Sequence, residues 1–130
     1  MKIAVRYLSR SGNTKAVAES IAEEVGVDAV SVDQPQSAIE EPVDVLFIGG
    51  ALYAYGIDGR LKDYLKTLKK ENVKKAAVFS TSWISKHAVD LIKKGLTENG
   101  IAVADDFFYV KNKPNEKELQ SAKDFAKKQL

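Results

Sequence analysis

Two rhythms of hydrophobic and polar positions run along this chain, and the switch between them is sharpest near the N-terminus. Ile3-Ala4-Val5-Arg6-Tyr7-Leu8 is a short apolar run, rich in β-branched and aromatic residues, that stops at Ser9-Arg10-Ser11-Gly12-Asn13-Thr14. Such a run, ended by small hydroxylated residues and a glycine, predicts a buried strand leading into a tight turn. Beyond the turn Val17, Ile21 and Val25 recur every four residues with Ala18 and Ala22 beside them. That spacing predicts a helix with one apolar face, and Gly26 provides its stop.

The alternation repeats to the end of the chain. Residues 27–32 alternate apolar and polar, which predicts a second strand at a sheet edge. Residues 33–42, with Pro35, Ser37 and Pro42, read as a loop or one short helical turn. Residues 43–50 contain Val45-Leu46-Phe47-Ile48 and end at Gly49-Gly50, a continuously apolar strand of the kind covered on both faces at the centre of a sheet. Asp58 is placed to cap a helix striped by Leu61, Tyr64, Leu65 and Leu68. Residues 73–79 form a fourth strand, and residues 84–98 a helix with Ala88, Leu91, Ile92 and Gly95 or Leu96 turned inward, ended by Asn99-Gly100. Residues 101–110 form a fifth strand carrying Phe107-Phe108-Tyr109. Asn115 with Glu118 makes a capping box for a last helix striped by Leu119, Ala122, Phe125, Ala126 and Leu130.

Five strands alternating with helices predict an α/β fold, a doubly wound three-layer sandwich around a five-stranded parallel sheet with right-handed crossovers. In such sheets ligands bind beyond the carboxyl ends of the strands. Three loops lie there: residues 9–14, 49–57 and 80–83.

The first loop has the chemistry of an anion site. The leading N–H groups of a helix lack intrahelical partners and carry roughly half a positive charge from the macrodipole. Ser9, Ser11 and Thr14 add hydroxyls, and Gly12 lets the backbone approach without a Cβ in the way. Arg10 and Lys15 are the nearby cations. Spacing excludes the Walker loop and the three-glycine dinucleotide fingerprint, because this turn has one Gly among three hydroxyls. Ser9 and Ser11 also suit simple helix capping. The second and third loops hold Tyr53, Tyr55 and Trp83, side chains fit to wall a flat aromatic ligand. Trp83 suits a core or hinge position at a helix start equally well, and His87 reads as a solvent-facing helix residue.

Bulk properties narrow the classes further. At 130 residues the chain fits one domain, residues 1–130, with a single core. It has no cysteine and one histidine, which leaves out thiolate chemistry and makes no case for zinc. Its 20 basic and 18 acidic residues balance to +2, so charge makes no case for nucleic acid. The absence of a long apolar run leads us to expect a cytoplasmic protein without a membrane span, monomeric or weakly dimeric.

Ser-x-Ser-Gly-Asn-Thr after a first strand resembles the Thr/Ser-x-Thr-Gly-x-Thr loop with which flavodoxins hold the phosphate of FMN. The resemblance extends to the order of elements, implies strand order 2-1-3-4-5, and is closest to the short-chain group. It implies FMN as cofactor, contacted at the phosphate by the side chains of Ser9, Ser11, Asn13 and Thr14 and by backbone N–H groups at and around Gly12; Arg10, a further candidate in the loop, sits at the family's variable position. Ala51, Leu52, Tyr53, Ala54, Tyr55, Gly56, Thr81, Ser82 and Trp83 would then lie along the ring. Tyr55-Gly56 matches the family's aromatic–glycine pair in order, and Tyr53 matches it in distance from Gly49-Gly50, so both remain candidates for the stacking tyrosine. The third loop departs from the family in lacking a Tyr and acidic residues. The implied function is electron transfer or a small flavin-dependent reduction, with a redox partner protein or an NAD(P)H- or quinone-type molecule as counterpart. The alternative is a binding module of the same fold without flavin chemistry. A receiver domain is excluded, because Leu8-Ser9-Arg10 offers no acids at the end of the first strand. Flavodoxins are usually acidic, whereas this chain has a pI near 8.7. Arg10, Arg60 and Lys86 against Asp58 lead us to expect a positive rim around the ligand loops.

Overall fold

Burial of both faces of β3, Val45–Tyr53, organises the computed structural model, which describes residues 1–54, 56–83 and 85–130. β3 lies between β1, Ile3–Tyr7, and β5, Ala76–Thr81, paired in parallel with each. β2, Ala29–Ser31, pairs with β1 at one edge, and β6, Val103–Val110, pairs with β5 at the other. The order β2-β1-β3-β5-β6 is the expected doubly wound one. A sixth, two-residue strand, β4 at Gly56–Ile57, folds back antiparallel on the end of β3.

Side chains alternate across the sheet as period-two geometry requires. Val45 and Phe47 point to one face, where α1, Asn13–Val25, and α4, Glu116–Lys128, cover them with Val17, Ile21 and Phe125. Phe47 and Phe125 meet edge to face with ring centroids 6.2 Å apart. Leu46 and Ile48 point to the other face, beneath Leu61 and Leu65 of α2, Gly59–Thr67, and Ile92 and Leu96 of α3, His87–Glu98.

Local chemistry accounts for the helix ends. The left-handed Gly26, φ 77°, closes α1 by donating its N–H to the Ala22 carbonyl at 2.9 Å. Asp58 caps α2, accepting from the Arg60 N–H at 2.9 Å. Both bonds of the Asn115–Glu118 capping box are present, at 2.8 and 3.0 Å.

Several boundaries differ from the sequence reading. β3 runs three residues past Gly50, so Ala51, Leu52 and Tyr53 are strand and not loop, because Ala51 still pairs with Thr81 of β5 and β4 supplies Leu52 and Tyr53 with antiparallel partners. β2 is shorter than 27–32, although Val32 still donates its N–H to the Tyr7 carbonyl at 2.8 Å. The fourth parallel strand starts at Ala76, and Val73 makes an isolated bridge to Val43. α3 begins at His87, three residues later than expected; Ile84 lies outside the described residues. Val89 joins Ala88, Ile92 and Leu96 in the buried face, whereas Leu91 is only half-buried. The indefinite segment 33–42 holds one 3-10 turn, Pro35–Ser37. Leu130 lies beyond the end of α4 and is exposed, so the last helix buries Ala122, Phe125 and Ala126 without it.

Gly49 and Gly50 mark where β3 passes closest to its neighbours. A Cβ on Gly49 would fall on the Phe79 ring and 2.5 Å from the Phe79 carbonyl oxygen, and a Cβ on Gly50 would meet the tip of Leu61. A backbone carbonyl in a strand cannot yield, whereas a leucine methyl can. Gly49→Ala is therefore expected to cost about 1–3 kcal/mol or more in urea unfolding, and Gly50→Ala distinctly less.

Candidate functional site

The carboxyl ends of β1, β3 and β5 bring the three candidate loops to one end of the sheet. The register sets Tyr7 beside Gly49, and Gly50 beside Ser80, so each strand delivers its loop at nearly the same height. Parallel strands make this possible, since all their chain directions agree.

In the β1–α1 loop Gly12 is the N-cap of α1, at φ 95°, a conformation that L side chains rarely adopt. It brings no side-chain cap to the first helical N–H groups, and a Cβ there would meet nothing within 4 Å. The positive end of α1 thus faces open space, as an anion site requires. Ser9 folds inward and accepts the Gly12 N–H at 2.9 Å, shaping the turn. Ser11 is exposed and accepts the Asn13 N–H over a long 3.5 Å. Asn13 reaches Asn112 Oδ1 at 3.5 Å. Thr14 is buried, and its hydroxyl shares a 2.6 Å hydrogen bond with Thr81 at the end of β5.

Arg10 turns from the β1–α1 loop toward the second loop. Its Nε donates to Asp58 Oδ2 at 2.9 Å, and its guanidinium carbon lies 3.8 Å from the centroid of the Tyr53 ring. The same carboxylate holds Arg60, through Nε at 3.2 Å and Nη2 at 3.0 Å. Arg60 also reaches Asp33 at 3.5 Å. Hydrogen bonding from Arg60, against the opposing effect of burial, keeps the Asp58 carboxyl well below the usual carboxylate range. Burial raises the Tyr53 phenol above its ordinary value, against the pull of Arg10, so the ring stays neutral.

This cluster corrects the expected positive rim. Asp58 is 7% exposed and bonded to both arginines, with Asp33 adding a second acid, so Arg10 and Arg60 are largely balanced. Lys86 remains, with Nζ 5.9 Å from the Phe107 ring centroid.

Of the ring-lining candidates, Ala51, Leu52, Tyr53 and Gly56 are half-buried in the β3–β4 hairpin, and Ala54 is exposed at its turn. Tyr55 lies outside the described residues. Thr81 and Ser82 are buried at the end of β5. Trp83 is 71% exposed, with Lys111 Nζ 5.8 Å from its ring centroid, which removes the core reading. His87 is exposed as expected.

The sequence reading missed the loop after β6. Tyr109 donates its hydroxyl to the Ser82 carbonyl at 2.7 Å, and Asn112, at φ 67°, faces Asn13. The signal was available: β6 is parallel to the others, so its carboxyl end had to open at the same place.

The role of Asp58 can be measured. Its carboxyl titrates near pH 4 in an unfolded chain and well below that in the folded protein, so its charge contributes fully above about pH 4 and progressively less as pH falls below it. Asn caps helices as well as Asp does. Asp58→Asn should therefore lower stability at pH 7 by about 1 kcal/mol through the half-exposed arginines alone. Asp58→Ala should cost about 1 kcal/mol more through the cap. Urea unfolding from pH 7 to pH 3 should show the Asn variant converging on wild type at the acid end.

A family model for the flavodoxin domain matches residues 4–126 of this chain. The uncharacterized protein MJ0298 of Methanocaldococcus jannaschii is 28% identical over an alignment covering 98% of this chain and 97% of that one. Among solved structures, a flavodoxin from the domain Archaea superposes with TM-score 0.78 at 27% identity, covering 97% of this chain and 94% of its own. Flavodoxin 1 of Bacillus cereus shares the fold at TM-score 0.81 and 24% identity, with coverage of 98% and 95%. The rubredoxin oxygen:oxidoreductase of Desulfovibrio gigas contains the same fold, TM-score 0.84 at 20% identity, in 34% of its length. The match of the family model over nearly the whole chain, together with the strand order and the open helix N-terminus after β1, places the chain in the flavodoxin domain family.

Proposed function

We propose that this protein binds FMN non-covalently and serves as an electron-transfer flavoprotein, with a redox partner protein or an NAD(P)H- or quinone-type molecule as counterpart. The observation that carries the reading is the N-terminus of α1, where Gly12 at φ 95° brings no side-chain cap and the exposed hydroxyl of Ser11 reaches the Asn13 N–H only over a long 3.5 Å. A phosphate monoester satisfies those donors and complements the helix dipole. FMN, when bound, takes up and releases electrons singly or in pairs.

The residues of this chain have three tasks toward that group. Ser11, Asn13 and the backbone from Gly12 onward hold the phosphate, while Ser9 fixes the turn through the Gly12 N–H. Thr14 ties the helix start to β5 through Thr81, fixing the phosphate loop relative to the third loop. The β3–β4 hairpin and Trp83 flank the ring and exclude water from it. Arg10 covers one face of Tyr53, so a ring stacking on Tyr53 takes its free face, and Trp83 is the more open wall. No helix among the described residues is long and apolar enough to cross a membrane; a cytoplasmic location belongs to this proposal.

Two measurements test the reading. Ser11→Ala should weaken FMN binding by about tenfold or more, the usual effect of removing a hydrogen bond to a charged group, and leave riboflavin, which lacks the phosphate, nearly unchanged. Equal losses for both ligands would remove the phosphate assignment. Flavin fluorescence should be quenched on binding and partly restored in Trp83→Ala. Full quenching in that variant and in Tyr53→Ala would rule out both walls.

A further inference from the structure

A groove of about 340 Å³ runs between α2 and α3, away from the phosphate loop. Its floor is apolar: Ile57 from β4, Leu65 from α2, and Leu91 and Gly95 from α3. Gly95 keeps the helices close, since a Cβ there would come within 2.8 Å of the Leu65 side chain. Ile57 and Leu91 are only half-buried, so apolar surface is left to cover.

The rim is basic. Lys62 and Lys66 stand one turn apart on α2, and Lys94 faces them from α3, with Glu98 the acid among them. Like charges four apart on a helix repel. Among the described residues, none of these three ammonium groups has an ion-pair or hydrogen-bond partner. Elsewhere several lysines are paired, as Lys2 with Glu41, Lys123 with Glu23 and Lys127 with Glu24. A half-exposed apolar floor inside a rim of three lysines and one glutamate complements an apolar side chain flanked by carboxylates.

We propose that the α2–α3 groove docks a protein partner that lays an apolar side chain on Ile57 and Leu91 and sets carboxylates against Lys62, Lys66 and Lys94. The groove adjoins the candidate ring loop directly. Ile57 belongs to the β3–β4 hairpin, and Leu91 lies 3.5 Å from the position a Cβ on Gly56 would take. A partner seated there touches the hairpin that flanks the ring in the FMN reading, on which its identity as a redox partner rests. The docking itself does not depend on flavin.

The test uses two synthetic helical peptides with the same glutamates, one carrying a leucine stripe and the other serine in its place. Each is titrated into ¹⁵N-labelled protein, FMN-saturated and flavin-free, at low and physiological ionic strength. The leucine peptide should shift the amides of Leu65, Leu91 and Gly95 and bind more weakly at the higher salt. The triple variant Lys62→Glu, Lys66→Glu, Lys94→Glu should lose on the order of tenfold in affinity, and the matching lysine-to-glutamine triple should lose less while retaining the fold. Reversal of Lys74, Lys117 and Lys128, exposed elsewhere, should change it by less than about twofold. Equal losses from both reversals, equal binding of both peptides, or shifts confined to other surfaces would overturn the proposal. So would failure of the leucine peptide to bind while phosphatidylglycerol vesicles bind through the same lysines. Peptide binding in a protein that takes up no FMN would overturn the FMN reading and leave the docking site standing.

Discussion

The interior strand β3 has to be covered on both faces, and the rest of the molecule follows from that need. Its apolar run Val45-Leu46-Phe47-Ile48 is essentially without solvent contact, which requires strands on both sides and a helical layer above and below. Parallel neighbours require crossovers, and right-handed crossovers leading in opposite directions from β1 place one pair of helices on each face. The same geometry gathers the carboxyl ends of β1, β3, β5 and β6 at one end. The ligand loops meet because the core is built this way.

At that end the decisive charge is a buried carboxylate. Asp58 holds Arg10 of the first loop and Arg60 of α2 and caps that helix, so one residue links the phosphate loop, the β3–β4 hairpin and the α2–α3 layer. Counting charges along the chain made this a positive rim; three-dimensional pairing made it nearly neutral. Along the α2–α3 seam Lys62, Lys66 and Lys94 outnumber the one acid among them, Glu98, and the basic character of the chain shows there. Under the two proposals, redox potential and partner choice rest on different surfaces, the first on groups at the ring and the second on the groove.

The hydrophobic rhythm foretold the strands and both helical layers because burial enforces period and length together, whereas the strand order came with the flavodoxin resemblance. Val17, Ile21 and Phe125 could only be core. The hairpin after Gly50 was hidden, since Leu52 and Tyr53 are strand by virtue of Gly56–Ile57, a partner too short to leave a pattern of its own, and Ala51 by its pairing with Thr81. The turn proposed to hold phosphate could be singled out because Gly12, the hydroxyls and the helix start are adjacent in sequence. The Thr14–Thr81 bond, the Arg10–Asp58 pair and the Asn13–Asn112 contact join residues 48 to 99 positions apart, and no local spacing encodes them.

The central claim is that the N-terminus of α1 is the phosphate end of a flavin site. A ¹⁵N–¹H titration of the flavin-free protein with FMN reads it directly. The account predicts saturable shifts centred on the amides of Gly12, Asn13, Thr14 and Lys15, together with the Trp83 indole N–H, and a bound ³¹P resonance distinct from that of free FMN. Shifts absent from the β1–α1 loop, or a phosphorus resonance that stays at its free position while the ring binds, would contradict it.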